Sequence, residues 1–273
     1  NIRSAEVEQQ PVLTVNVLDI SSSNRAGYIL FNDHSRAAER ALIDGIDTLK
    51  AENIDELVLD LRYNQGGYGY IAAQLGYMIA GAVSDGQTFL KEIFNDKYII
   101  KDPFNGLEIL PLPFLNTTFM DETITGLEAG TLLPTLNLDR VFILSDYSTC
   151  SSSELLINGL RGIGIEVILI GGATCGKPYG GLLTDNCGTT YYMIQTTVEN
   201  AQGFGDYADG FTPTESLDIG GRAVKGCSVL DNLSGVLGSA SENMLSVALH
   251  YIENDSCPYG TIPTDTAFTK QIQ

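Results

Sequence analysis

Three times in this chain a short apolar run stops at a turn of small or polar residues: Glu56–Leu61 before Arg62–Gly67, Arg140–Leu144 before Ser145–Cys150, and Glu166–Ile170 before Gly171–Gly181. Runs of this length read as strands. Between them lie helical patterns. His34–Glu52 carries Ala38, Ala41, Leu42, Ile46 and Leu49 at helical spacing, Tyr70–Ala80 is a small-residue helix fit for close packing, and Ser151–Leu160 and Ser241–Glu253 complete the set. Strands alternating with helices predict an α/β domain with a largely parallel core sheet and flanking helices. Further strands are expected at Val12–Leu18, Ala26–Phe31 and Thr189–Val198. Two stretches lack a period. Gln87–Leu136 holds four prolines and reads as a long excursion with short strands, a lid or a substrate wall, and Asn200–Gly221 reads as loop.

A chain of 273 residues, 44% hydrophobic and 18% charged, buries a sizeable core in one large domain or two small ones. Its 34 acidic residues against 15 basic ones leave a formal net charge of -19, a field that repels nucleic acids and anionic membrane surfaces. No apolar run approaches the roughly 18 residues of a membrane span. Residue 1 is Asn, so the chain reads as processed, with any secretion signal or upstream segment cut away. None of the five cysteines has Cys-x-x-Cys spacing, and the two histidines are too sparse to complete a metal site. Cys175 and Cys187 flank a glycine-rich turn and are expected to meet across a hairpin. Cys227 and Cys257 are expected to tie down the C-terminal segment, leaving Cys150 as a small buried thiol. Either bridge implies an oxidising compartment.

The same three turns carry the candidate chemistry. In Thr149-Cys150-Ser151-Ser152-Ser153-Glu154 a serine stands at a strand-to-helix junction. Its hydroxyl points to the cleft beyond the strand ends, beside unpaired helix N–H groups that stabilise a developing oxyanion. Taken alone, Ser151-x-x-Glu154 is a capping box, Gly66-Gly67 an ordinary turn and Lys177 a solvated charge. Together the segments Asp60-Leu61-Arg62-Tyr63-Asn64-Gln65-Gly66-Gly67, Thr149 to Glu154, and Thr174-Cys175-Gly176-Lys177 occur in one order, each at the end of a strand.

In that order these motifs resemble the S41-class C-terminal processing peptidases, or tail-specific proteases. The likeness extends loosely from about residue 26 to 253 and includes Gly210-Phe211-Thr212-Pro213. The resemblance implies a fold shared with Clp-type proteases and crotonases, and a Ser–Lys dyad with Ser151 as nucleophile and Lys177 as general base. It also implies an oxyanion hole from the backbone N–H of Ser152 and of Gly66 or Gly67. A serine hydroxyl needs a base, and lysine serves only when neutral, which an apolar pocket favours. Many family members carry Gln four residues after the lysine, where this chain has Gly181; Gln195 or Glu154 is the expected substitute. Ser153 is the second candidate nucleophile. A histidine triad would draw on His34 or His250, which the periodicity puts in the first and last helices. Residues 26–273 are read as the peptidase domain. Residues 1–25 are too short for the peptide-binding PDZ domain of many relatives and read as a strand leaving such a domain. The expected partner is a polypeptide, without nucleic acid, metal or cofactor, in an extracytoplasmic setting. Two other functions are kept open: a peptide-binding module that lost catalysis, which predicts an exposed or distant Lys177, and a small-acyl ester hydrolase, which predicts a closed pocket.

Overall fold

The computed structural model describes residues 10–20, 24–96, 101, 108, 110–120, 122–215 and 221–259. In chain order the elements are β1 (Val12–Asp19), β2 (Arg25–Phe31), α1 (Ala38–Ala51), β3 (Glu56–Asp60), α2 (Gly69–Ala80), β4 (Thr88–Phe94), β5 (Leu112–Pro113) and α3 (Glu122–Thr125). They continue with β6 (Arg140–Ser145), α4 (Ser152–Gly162), β7 (Glu166–Gly171), β8 (Tyr179–Asn186), β9 (Thr189–Glu199), β10 (Thr212–Thr214), β11 (Ala223–Ser228) and α5 (Asn243–Asn254). None of the described helices is long and apolar enough to cross a membrane.

Seven strands form the main sheet in the order β1-β2-β3-β6-β7-β11-β10. Only β1 runs antiparallel to its neighbour; the other pairs are parallel. From β2 through β3 and β6 to β7 the chain steps always in one direction. Right-handed crossovers then put every connecting helix on one face, where α1, α2 and α4 pack on Phe31, Leu59, Ile143 and Leu169. The alternate residues Tyr28, Leu30, Val58, Phe142, Leu144, Ile168 and Ile170 face the other way, against Met244, Leu245, Ala248 and Tyr251 of α5. Burial of both faces is why these strands are unbroken apolar runs.

A smaller antiparallel sheet, β5-β4-β9-β8, joins the excursion to the strands that follow Lys177. The excursion thus supplies short strands, as its composition suggests. Strand β8 was not foreseen, because Gly180 and Gly181 hide it among loop residues; β10 was missed because it is three residues long with a proline at its centre, and β11 because Gly226 interrupts it.

The cysteine pairing differs from the expectation at two positions. Cys227 is bonded to Cys257, but Cys150 is bonded to Cys175 and Cys187 is free and exposed. Cys187 occupies the tip of the β8–β9 hairpin, where its φ of 49° and the 79° of Gly188 make the two-residue turn. Cys175 precedes the other end of β8, so a strand of eight residues, about 26 Å long, separates the two.

Behind the sheet's C-terminal edge lies a buried ionic cluster. Arg62, fully buried, donates to Asp60 through Nε (3.0 Å) and Nη2 (2.7 Å) and to Glu242 through Nη1 (3.0 Å). Tyr28 Oη donates to Asp60 at 2.6 Å, and Glu242 caps α5 by accepting the Leu245 N–H. Burial by itself would weaken the guanidinium's hold on its proton, but Asp60 and Glu242 outweigh it and raise its pKa. Arg62 thereby fastens the start of α5 to the end of β3. Replacing Arg62 by Leu strands two buried carboxylates and should lower stability by about 3–5 kcal/mol, read as a shifted urea midpoint; a change under about 1 kcal/mol would mean the cluster does not hold α5.

Candidate active site

Because β3, β6 and β7 are adjacent and parallel, the loops after their C-terminal ends meet at one place. A mesh of hydrogen bonds fixes them there. Thr149 Oγ1 donates to Leu61 O (2.9 Å), Cys150 N–H to Asn64 O (3.0 Å), and Cys175 N–H to Thr149 O (3.0 Å). The Asn64 side chain accepts from Gly66 N–H (2.9 Å) and donates to Phe31 O (2.9 Å).

Ser151 precedes α4 with φ 56° and ψ −113°. A positive φ in a residue with a side chain is strained and persists only when its surroundings hold it. Here the holder is Glu154, fully buried, whose Oε2 accepts the Ser151 N–H at 3.0 Å. Ser151 and Glu154 form a reciprocal capping box at the start of α4, and Ser151, half-buried, also lines the groove. Its neighbours do not compete for the role. Ser152 Oγ donates to Gly67 O at 2.7 Å, and Ser153, fully buried, donates to Asn64 O at 3.1 Å.

Glu154 also reaches the third loop. Its carboxylate accepts from Thr174 Oγ1 (2.6 Å), Gly176 N–H (2.8 Å) and Lys177 N–H (2.8 Å). One side chain therefore holds the backbones of Ser151 and Lys177 in fixed relation, and the Cys150–Cys175 bond crosses between the same loops. Ligand atoms of Cys150, Glu154 and Cys175 lie within 4.8 Å of one another. With the sulfurs bonded to each other and the carboxylate accepting four hydrogen bonds, the trio has no donor set left for a metal ion. The segment Gly210–Pro213 backs this loop: Phe211 N–H donates to Thr174 Oγ1, and Thr174 N–H to Phe211 O.

Lys177 is exposed and lines the same groove as Ser151. The groove, about 1040 Å³ and open to solvent, runs between the glycine turn Gln65–Gly69 and the small sheet, which contributes Leu90, Leu112, Tyr179, Leu183, Tyr192 and Val198. Gln195 is not among its lining residues; it occupies the bulge in β9 opposite Gly180 and Gly181.

At the glycine turn, the Gly66 N–H is engaged with Asn64, whereas the Gly67 and Ser152 N–H groups have no such bond among the described residues. Gly66, at φ 92°, lies so close to the serine turn that a Cβ would come within 2.8 Å of Cys150 O, Ser152 N and Ser151 Cβ. His34 is not in α1 but in the link before it, bridged to Gly67. Its Nδ1 is 3.0 Å from Asn64 Oδ1, and burial lowers its pKa to about 4. His250 sits near the end of α5, beside Asn254. Neither is hydrogen-bonded to Ser151 among the described residues. Asn64 and His34, as supports of the glycine turn, went unnoticed in the sequence, although Asn64 stands inside the motif that marked the turn.

The model of Peptidase family S41 matches residues 25–199. No curated protein matches the chain. Among solved structures, a Bacteroides fragilis protein described as an S41 protease is 22% identical with a TM-score of 0.70 over 92% of this chain and 60% of its own. The photosystem II D1 C-terminal processing protease is 18% identical with a TM-score of 0.53 over 78% of this chain and 49% of its own. At these identities the likeness is one of fold. The chain spans about half to three fifths of the length of these two proteins.

Two substitutions check this geometry. Gly66→Ala pushes a methyl into the serine turn from a left-handed backbone position, and should lower stability by about 1–3 kcal/mol, read as a shifted urea midpoint. The lowered pKa of His34 means that the unfolded chain binds its proton first as pH falls. Its contribution to stability is full above pH 6.5 and is lost toward pH 4. Between pH 7 and 5 the loss is about 2 kcal/mol. Urea unfolding at both values should show His34→Gln with a correspondingly shallower pH dependence than the parent.

Proposed function

The chain belongs to peptidase family S41, and on that footing we propose that it is a serine endopeptidase that cleaves unfolded or C-terminal segments of proteins, with Ser151 as nucleophile and Lys177 as general base. The observation that carries this reading is the shared groove: Ser151, on a strained turn, and Lys177 line one cleft, and Glu154 ties both backbones. Ser151 Oγ attacks the peptide carbonyl carbon as its proton passes to Lys177 Nζ. The oxyanion is met by the N–H groups of Gly67 and Ser152; Gly66 serves as the close packing that brings these donors together. Collapse expels the amine, which takes its proton from Lys177. Water, activated by the neutral lysine, then releases the acyl group from Ser151.

Lysine is a base only when its ammonium is disfavoured. Lys177 is exposed in the open groove, so in this reading the substrate itself completes the apolar enclosure, against the small-sheet residues Tyr179, Leu183 and Tyr192. Supporting contacts from Glu154 act on the Lys177 backbone, and Gln195, in the β9 bulge, is not among the residues that line the groove. A groove open along its length suits an extended peptide better than a small ester. The two disulfides fit an extracytoplasmic, oxidising location, and the acidic chain fits a polypeptide rather than a nucleic-acid partner. Residues 26–273 form the peptidase domain in this proposal.

The exposure of Lys177 is also what an inactive peptide-binding module would show, and one experiment separates the two. A fluorophosphonate probe should form an adduct on Ser151, read by peptide mass spectrometry, that disappears in Ser151→Ala and falls at least 100-fold in Lys177→Ala. A parent protein that neither forms the adduct nor cuts unfolded casein is the inactive module.

A further inference from the structure

The bond between Cys150 and Cys175 joins the residue before the proposed nucleophile to the residue two before the proposed base, across 25 positions of sequence. We propose that this disulfide is a positioning cross-link of the active site and that its reduction switches hydrolysis off. The inference rests on the Ser151–Lys177 reading and adds to it a redox condition.

The reason lies in what the sulfurs touch. Cys175 Sγ is 3.4 Å from Glu154 Oε2, the oxygen that accepts the N–H groups of both Ser151 and Lys177. In the disulfide that sulfur carries no hydrogen and leaves the oxygen to those two donors. Reduction breaks the S–S bond: a dithiol gives up two electrons and two protons, closes to its own disulfide, and leaves Cys150 and Cys175 as thiols. Each new S–H is a donor, and the one on Cys175 competes for Oε2. The unbonded sulfurs must also part to van der Waals separation, about 3.5–4 Å. The loops that carry the two sulfurs are pinned to their neighbours. Cys150 N–H is bonded to Asn64 O in the glycine turn, and Cys175 N–H to Thr149 O in the serine turn. The displacement therefore passes into the groups that must lie within a fraction of an ångström for proton transfer, where a shift of about 1 Å lowers the rate by about 100-fold.

Cys150 and Cys175 are both half-buried, so a reductant can approach either sulfur of this bond; in the other disulfide Cys257 is half-buried and Cys227 is buried at 1% exposure.

The test uses the parent and a Cys227→Ala/Cys257→Ala variant, in which Cys150–Cys175 is the sole disulfide. Both are treated with dithiothreitol until alkylation and peptide mass spectrometry find Cys150 and Cys175 free. Turnover of unfolded casein and fluorophosphonate labelling of Ser151 are then measured. The expected result is a fall of about 100-fold in kcat and in labelling rate, with KM and circular dichroism unchanged, reversed by an oxidised dithiol. Cys150→Ser/Cys175→Ser should sit at the low rate with or without dithiothreitol. Reduced protein that labels at the oxidised rate overturns the inference and leaves the catalytic reading standing. Loss of activity that tracks loss of circular dichroism overturns it too, since the bond is then a plain staple. Oxidised protein that never labels at Ser151 removes the catalytic reading, and this inference with it.

Discussion

The cleft is fixed by a single buried carboxylate. Glu154 has no exposed surface and accepts hydrogen bonds from four donors on two different loops. A carboxyl taken out of water is tolerated only if its oxygens are satisfied. Position helps, because the first turn of a helix favours negative charge, but the decisive donors come from Ser151 and from Thr174–Lys177. Neither loop can withdraw without leaving Glu154 short of partners inside the protein. The strained backbone of Ser151 is sustained by the same requirement, so strain at the serine and order at the lysine loop are one constraint.

A second buried polar group does comparable work on the opposite face. Arg62 links β3 to α5, the helix that closes the side of the sheet left bare by the one-directional crossovers. Asn64 stands between the two clusters. Its side chain gathers Gly66, His34 and Phe31, and its carbonyl receives Cys150 and Ser153. The serine turn is thus held from two sides, by Glu154 and by Asn64, whose partners are mostly backbone groups. That is how a site built entirely on loops acquires the rigidity of the sheet beneath it.

What could be read in advance followed burial. The central strands and helices α1, α2, α4 and α5 were legible because two-sided or one-sided burial imposes a pattern on every residue. Strand β8 was not, because Gly180 and Gly181 are admitted there by close contacts that no periodicity records: a Cβ on Gly181 would lie 2.1 Å from Met193 O. Strand β11 hides for the same reason, with Gly226 pressed on Leu169 O. Cysteine pairing was half legible. Cys227 and Cys257 both fall in the C-terminal segment, but choosing Cys150 over Cys187 as the partner of Cys175 requires knowing that β6 and β7 are neighbours and that a hairpin carries Cys187 away. For the candidate site, residue order pointed to Ser151, Lys177 and the glycine turn, which the fold brings to one groove. Which glycine N–H is free, and that Glu154 grips backbone rather than the lysine head, are matters of distance alone.

Pro178 is all that separates Lys177 from the first residue of β8. The small sheet is a single hydrogen-bonded body made of two distant chain segments, and Phe89, Leu90 and Val198 root it in the main core. Proline restricts the torsion at the joint. The lysine loop and the far wall of the groove are therefore one continuous stretch of chain, so the width of the groove and the place of Lys177 are set by the same packing.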